Sequence, residues 1–159
     1  MKQKLTAALL ALACLCALTA CQGKVEPAPS YELSDVQAMA DAGAFSEELE
    51  ELDADIAFAL YRLADYGLSR EDLKDCAVLR SAGATCEEAA VLLLDGDDAK
   101  LADQAEQALK DYIQGQIEAN VDYRPDEIPK LENAIVSSRD QSLLLVVAND
   151  LEAAKSVVD

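Results

Sequence analysis

Five consecutive apolar residues, Leu143-Leu144-Leu145-Val146-Val147, constrain the fold of this chain more than any other feature. A strand with one wet face alternates apolar and polar side chains, so an unbroken run must be covered on both sides and belongs inside a sheet. Its partner lies just upstream. Ala134-Ile135-Val136-Ser137 precedes it across Arg139-Asp140-Gln141, the pattern of a β-hairpin. A second hairpin is predicted where Ala77-Val78-Leu79 and Ala89-Ala90-Val91-Leu92-Leu93-Leu94 flank the small, turn-forming stretch Ser81-Ala82-Gly83-Ala84-Thr85.

Helical signals surround these hairpins. Ser34 with Gln37 has capping-box spacing and predicts a helix from Asp35 to about Ala42, ending near Gly43. Ser46 before Glu47 and Glu48 opens a second, with Leu49, Leu52, Ile56, Leu60 and Leu63 as its apolar stripe, a possible restart at Asp53 and a stop at Gly67. Ser69 with Asp72 repeats the capping spacing for a single turn. Asp95-Gly96-Asp97-Asp98 caps a long helix with Leu101, Ala105, Ala108, Leu109, Tyr112, Ile113 and Ile117 on its apolar side. Tyr123-Arg124-Pro125 breaks that helix, Pro129 prevents another long one, and Asp150 caps a terminal helix bearing Leu151, Ala154, Val157 and Val158. These elements predict an α+β domain over residues 31–159, with a four-stranded, mainly antiparallel sheet made from two hairpins.

The first thirty residues have a different logic. Lys2 and Lys4, the apolar stretch from Leu5 to Ala17 and the small residues Thr19 and Ala20 are the parts of a secretory signal peptide, residues 1–20. The run is short of the about 20 apolar residues of a permanent span. Leu18-Thr19-Ala20-Cys21 looks like a lipobox, in which Cys21 is lipidated and becomes the first mature residue. Cys16 follows the bulky Leu15, and cutting at Cys14 would truncate the apolar region, so neither competes with Cys21. Residues 21–30, punctuated by Pro27 and Pro29, form a short tether. The expected location is the extracytoplasmic face of a bacterial membrane, held through the lipid on Cys21.

The net charge is -18, from 31 acidic and 13 basic side chains, and cleavage would remove two of the lysines. Such a field repels phosphate backbones and anionic headgroups, so nucleic acid is not an expected partner. With no histidine, serine–histidine and cysteine–histidine pairs are excluded, along with the commonest zinc site. Cys76 and Cys86 are expected as separate thiols: a hairpin centred near Gly83 sets Cys86 opposite about Arg80, too far from Cys76 for a disulfide. Glu87 and Glu88 are neighbours on a strand and point to opposite faces, so they cannot act together as a glycosidase pair. The Asp95 segment opens like a calcium loop, but Lys100 stands where glycine is needed, and helix capping accounts for its acids. The two phenylalanines and five tyrosines are too scattered in sequence to suggest a sugar platform, and Tyr123 beside Pro125 is the one candidate contact.

Gly83-Ala84-Thr85-Cys86-Glu87-Glu88-Ala89-Ala90-Val91, Tyr123-Arg124-Pro125, Leu131-Glu132-Asn133-Ala134 and the closing strand with Asp150 resemble an uncharacterised family of bacterial lipoproteins, a domain of unknown function of the DUF 4358 type. The likeness spans about Ser34 to Asp159 and departs from the family pattern at Cys76 and at Ser138-Arg139-Asp140. It implies fold and anchoring but no reaction. The expectation is a lipid-anchored module that binds or scaffolds an envelope protein or glycan, without catalytic residues, metal or cofactor. The alternatives are an enzyme or enzyme subunit working on cell-envelope glycans through carboxylates, and a weak divalent-cation sensor.

Overall fold

The two apolar runs 89–94 and 143–147 are neighbours at the centre of one antiparallel sheet in the computed structural model, which describes residues 28–159. The strands are β1 (Glu50–Glu51), β2 (Leu73–Arg80), β3 (Glu88–Leu94), β4 (Ile135–Arg139) and β5 (Ser142–Val147), in the order β1-β2-β3-β5-β4. Every residue of β5 is buried, as its composition demands, and β3 beside it is buried along almost its whole length. Both expected hairpins form, each longer than its apolar run suggested. The lipobox Leu18-Thr19-Ala20-Cys21 lies outside the described residues.

The helices are α1 (Leu33–Asp41), α2 (Ala54–Leu60), α3 (Ala99–Asn120), α4 (Ile128–Glu132) and α5 (Leu151–Val158). They cover both faces of the sheet. On one face Val36 and Met39 of α1 and Ala154 of α5 pack on Ala89, Val91, Leu144 and Val146. On the other, Ala57 of α2, Ala105 and Leu109 of α3 and Leu131 of α4 pack on Ala90, Leu92, Leu143 and Leu145. Alternate residues of the same two strands therefore feed two separate cores, which is why their apolar runs have no polar breaks.

Several expectations need correction. The sheet has five strands rather than four, because Glu50 and Glu51 pair with Arg80 and Leu79 at its edge. No helix starts at Ser46: the Ala44 carbonyl accepts from Asp150 N and the Ser46 amide donates to Glu87, so tertiary partners hold this segment out of a helix, which begins only after Asp53. α1 is capped by Glu32, with Asp35 closing the capping box, two residues before the expected Ser34. The helix after Asp53 ends at Leu60, short of the expected stop at Gly67, which closes a separate 3-10 turn instead, while the remaining caps form as read. Asp98 accepts from Lys100 N, Asp150 accepts from Ala153 N, and Ser69 with Asp72 makes a reciprocal box on a 3-10 turn. Among the described residues no helix is long and apolar enough to cross a membrane.

Candidate functional site

After α2 the chain turns sharply. Asp53 starts this helix by accepting from Asp55 N and Ile56 N, and Arg62 ends it in the left-handed conformation at φ 53°. Only glycine and, less often, asparagine or aspartate adopt that conformation freely, so an arginine there is strained unless its surroundings hold it. The 3-10 turn Leu63–Tyr66 follows, closed by Gly67 at φ 91°. This reversal brings Tyr61 and Tyr66 together against α3, where Tyr112 and Asp111 meet them.

Glu88 is the pivot of the cluster. It starts β3 on the side of the larger core and is 2% exposed. Its Oε1 accepts from the Tyr61 hydroxyl at 2.5 Å, and its Oε2 accepts from the Tyr112 hydroxyl at 2.7 Å and from Arg80 Nε at 3.0 Å. Burial pushes the Glu88 carboxyl up, and the two tyrosines and Arg80 work against that shift. Burial also raises the Tyr61 and Tyr112 phenols, helped by the negative charge of Glu88. The rings of Tyr61 and Tyr112 meet edge to face, 5.1 Å between centroids. Further out, Tyr66 donates to Asp111 at 2.5 Å, a bond that raises the phenol and lowers the carboxyl.

Between the 3-10 turn and α3 lies a cavity of about 290 Å³, lined by Tyr61, Tyr66 and Tyr112 with Leu60, Ala108 and Asp111, and completed by Arg62, Gly115 and Gln116. A more open depression of about 530 Å³ continues past Tyr66 along α3, between Asp65 and Gln107. Gly115 is notable because it lies inside a 22-residue helix. A glycine there costs roughly 0.5–1 kcal/mol relative to alanine. A Cβ at Gly115 would meet nothing within 4 Å, so no neighbour in the fold requires glycine.

Glu87 belongs to a different network, as strand alternation requires. It is fully buried and accepts from Ser46 N, Ser46 Oγ and Lys130 Nζ at 2.7, 2.6 and 2.7 Å. Lys130 also reaches Glu127, whose other oxygen accepts from Cys86 N. Glu47 fastens the hairpin tip by accepting from Ser81 and Thr85. These contacts are all internal ties. Cys76 and Cys86 are free, and burial raises both thiols. Their register differs from expectation, since the Ser81 amide bonds the Glu87 carbonyl and so sets Cys86 beyond Ser81 rather than opposite Arg80.

The family described as Domain of unknown function (DUF4358) matches residues 62–148. The chain belongs to this family. No curated protein and no solved structure matches the chain. In this DUF4358 chain the match begins at the left-handed Arg62 and takes in Tyr66, Glu88, Asp111, Tyr112 and Gly115.

Tyr123, the contact candidate, is 80% exposed in the turn after α3, and Arg124 lies 5.8 Å from its ring. It does not line the tyrosine cavity. Its neighbour Arg124 is instead a strut, donating to the Gly83 and Thr85 carbonyls at the hairpin tip. Asp95, Gly96 and Asp97 form the bend before α3, and among the described residues no three His, Cys, Asp or Glu side chains are placed to hold a metal ion. The three tyrosines at residues 61, 66 and 112 share no local sequence pattern, because they come from a helix end, a turn and a second helix about fifty residues on. Gly115, an isolated glycine within a helical pattern, was the available signal.

Proposed function

We propose that the protein is a lipid-anchored binding module on the extracytoplasmic face of a bacterial membrane, which engages an envelope partner and performs no chemistry. Anchoring rests on Leu18-Thr19-Ala20-Cys21 and the short tether after it. The absence of chemistry rests on one observation: both buried glutamates are shut off from solvent and each already accepts from three donors. Three donors occupy the oxygens of Glu88, and three occupy those of Glu87. A general acid or base must reach a substrate proton within about 2.6–3.2 Å, and neither carboxyl has a free approach. What remains open is a cavity, and cavities of this kind bind.

The test is affinity capture with the full, membrane-tethered chain. A specific envelope protein or glycan should co-purify with the parent and not with Cys21→Ala recovered from the soluble fraction. Intact-mass measurement should find Cys21 acylated at the new N-terminus. Turnover of an envelope glycan that disappears in Glu88→Gln while the fold persists would replace this reading with the enzymatic one.

A further inference from the structure

We infer that the outer edge of β4 is a docking site for an extended, positively charged polypeptide segment, which the sheet takes up as an added strand. The inference deepens the binding-module reading and rests on it, naming a surface apart from the tyrosine cavity.

β4 ends the strand order, so only one of its sides is paired. The two-residue turn Asp140–Gln141 joins it to β5, with Arg139 and Ser142 as the closing pair. Hydrogen bonding alternates along an antiparallel pair. Arg139, Ser137 and Ile135 therefore bond to β5, while Val136 and Ser138 turn their amides and carbonyls outward. Among the described residues no backbone group from another element bonds β4. Its side chains are nevertheless fixed from both faces. Ser137 shares a hydrogen bond with the Tyr31 hydroxyl, Arg139 lies 4.3 Å over the Tyr31 ring, and Ser138 donates to Glu106 of α3. All five residues stay only partly buried because the edge between those faces is open.

The opposite edge of the sheet is closed. β1 covers Leu79 and Arg80, and the Leu52 amide donates to the Val78 carbonyl. Nearer its start, β2 has a register shift between Leu73 and Asp75, exposes Lys74 and Asp75, and directs the Cys76 amide to the Asp75 carboxylate. Bulges and exposed charges of this kind prevent strand addition. β4 has neither device: its register with β5 is unbroken, and Ile135–Arg139 contains no proline or lysine.

A row of outward amides and carbonyls is matched in full by another extended backbone, which selects the form of the occupant. Charge selects its kind. The exposed acids Glu132 and Asp140 bracket the strand, while Arg139 is held by the Tyr31 ring and the Val158 carbonyl, and Lys110 by Glu106. A second copy would set two chains of net charge -18 side by side, so the added strand comes from a cationic partner. Next to Ile135 and Val136, β-branched side chains suit the pleated surface.

The experiment uses the full chain in detergent micelles with three acetylated and amidated seven-residue peptides. One alternates valine and threonine between terminal lysines, the second has glutamates in place of the lysines, and the third is the lysine peptide with every internal amide methylated. Without peptide, hydrogen exchange should be fast at the Val136 and Ser138 amides and slow at those of Ile135, Ser137 and Arg139. The lysine peptide should shift and protect Val136 and Ser138 in NMR spectra and leave Lys74 and Asp75 at the other edge unchanged. The glutamate peptide should bind at least about tenfold more weakly, and the methylated one should not bind. Glu132→Gln combined with Asp140→Asn should weaken the lysine peptide several-fold and flatten its salt dependence while the fold persists. Val136 and Ser138 amides protected in the free monomer would mean that the edge is already covered, and protection that fades on dilution would mean that a second copy covers it. Either result, equal affinity for the two charged peptides, or binding of the methylated peptide would overturn the assignment. Specific capture of an envelope protein by a chain that takes up no strand peptide would sink the docking edge and leave the binding-module reading standing. Loss of specific capture in the parent chain would remove that reading itself.

Discussion

Glu88 and Glu87 show how a single position along a strand decides the fate of a carboxylate. Each is carried below the surface at the start of β3, Glu88 as its first residue and Glu87 just before it, and each is tolerated because three donor groups converge on it. Removing one donor therefore costs more than the bond is worth, since the acceptor stays buried. Tyr61→Phe should lower unfolding free energy by about 1–3 kcal/mol in urea titration, while Tyr66→Phe, whose partner Asp111 is exposed, should cost less than about 1 kcal/mol. Equal small losses would show that Glu88 does not depend on Tyr61. Lys130→Met should be harsher, about 3 kcal/mol or more, because it strands the fully buried charge of Glu87.

At the scale of elements, the short helices and turns are secured by their ends. α2 has seven residues and begins with the two amide bonds to Asp53, so Asp53→Ala should cost about 1 kcal/mol. Gly67 is more demanding. Its φ of 91° is left-handed, and an added Cβ would stand 3.1 Å from the Gln104 side-chain amide. Gly67→Ala should therefore cost about 1–2 kcal/mol and loosen the turn that carries Tyr66 against α3. Thermal melts of both variants check these values, and hydrogen exchange should show α2 and the Leu63–Tyr66 turn opening before β3 and β5. Protection of the turn equal to that of β5 in the Gly67→Ala chain would contradict the view that this glycine sets the cavity wall.

At the scale of the molecule, charge dominates. With a net charge of -18 the folded chain repels itself, and screening should stabilise it modestly. Calcium and sodium salts matched in ionic strength should give equal small rises in Tm; a calcium-only rise of several degrees, lost in Asp97→Asn, would favour the cation-sensor alternative. Acid acts through individual groups. Hydrogen bonds hold the carboxyls of Glu47, Asp72, Glu106 and Asp111 below their ordinary values, so their contribution is present above about pH 4 and lost as pH falls through the folded values. Glu88 has the opposite sign. Burial raises its carboxyl, so its contribution is fully present below its ordinary value and is lost as pH rises through the folded one. Stability should therefore fall on acidification, and Glu88→Gln should fall more steeply at pH values above the ordinary carboxyl value of 4.5, with the two slopes converging below it, as read from urea midpoints on either side of that value. An unchanged slope would mean that Glu88 does not take up a proton in the folded state.

Local signals wrote most of the architecture into the sequence. Asp98 and Asp150 cap their helices with their own side chains, Ser69 and Asp72 box a single turn, and the run Leu143–Val147 could only be an inner strand. Each depends on residues a few positions apart, where spacing and hydrogen-bond chemistry suffice. What tertiary structure decided lies at longer range. β1 is two glutamates that become a strand only because Leu79 and Arg80 offer an open edge, and Ser46 is withheld from a helix by Glu87, a residue 41 positions away. Insertion of β5 between β3 and β4 has no local signature either. The candidate site belongs wholly to this second class. Tyr61, Tyr66, Glu88 and Tyr112 come from a helix end, a turn, a strand and another helix, and a left-handed Arg62 that no propensity predicts makes them meet. Only packing on both faces of the sheet sets the distances at which they become one cavity.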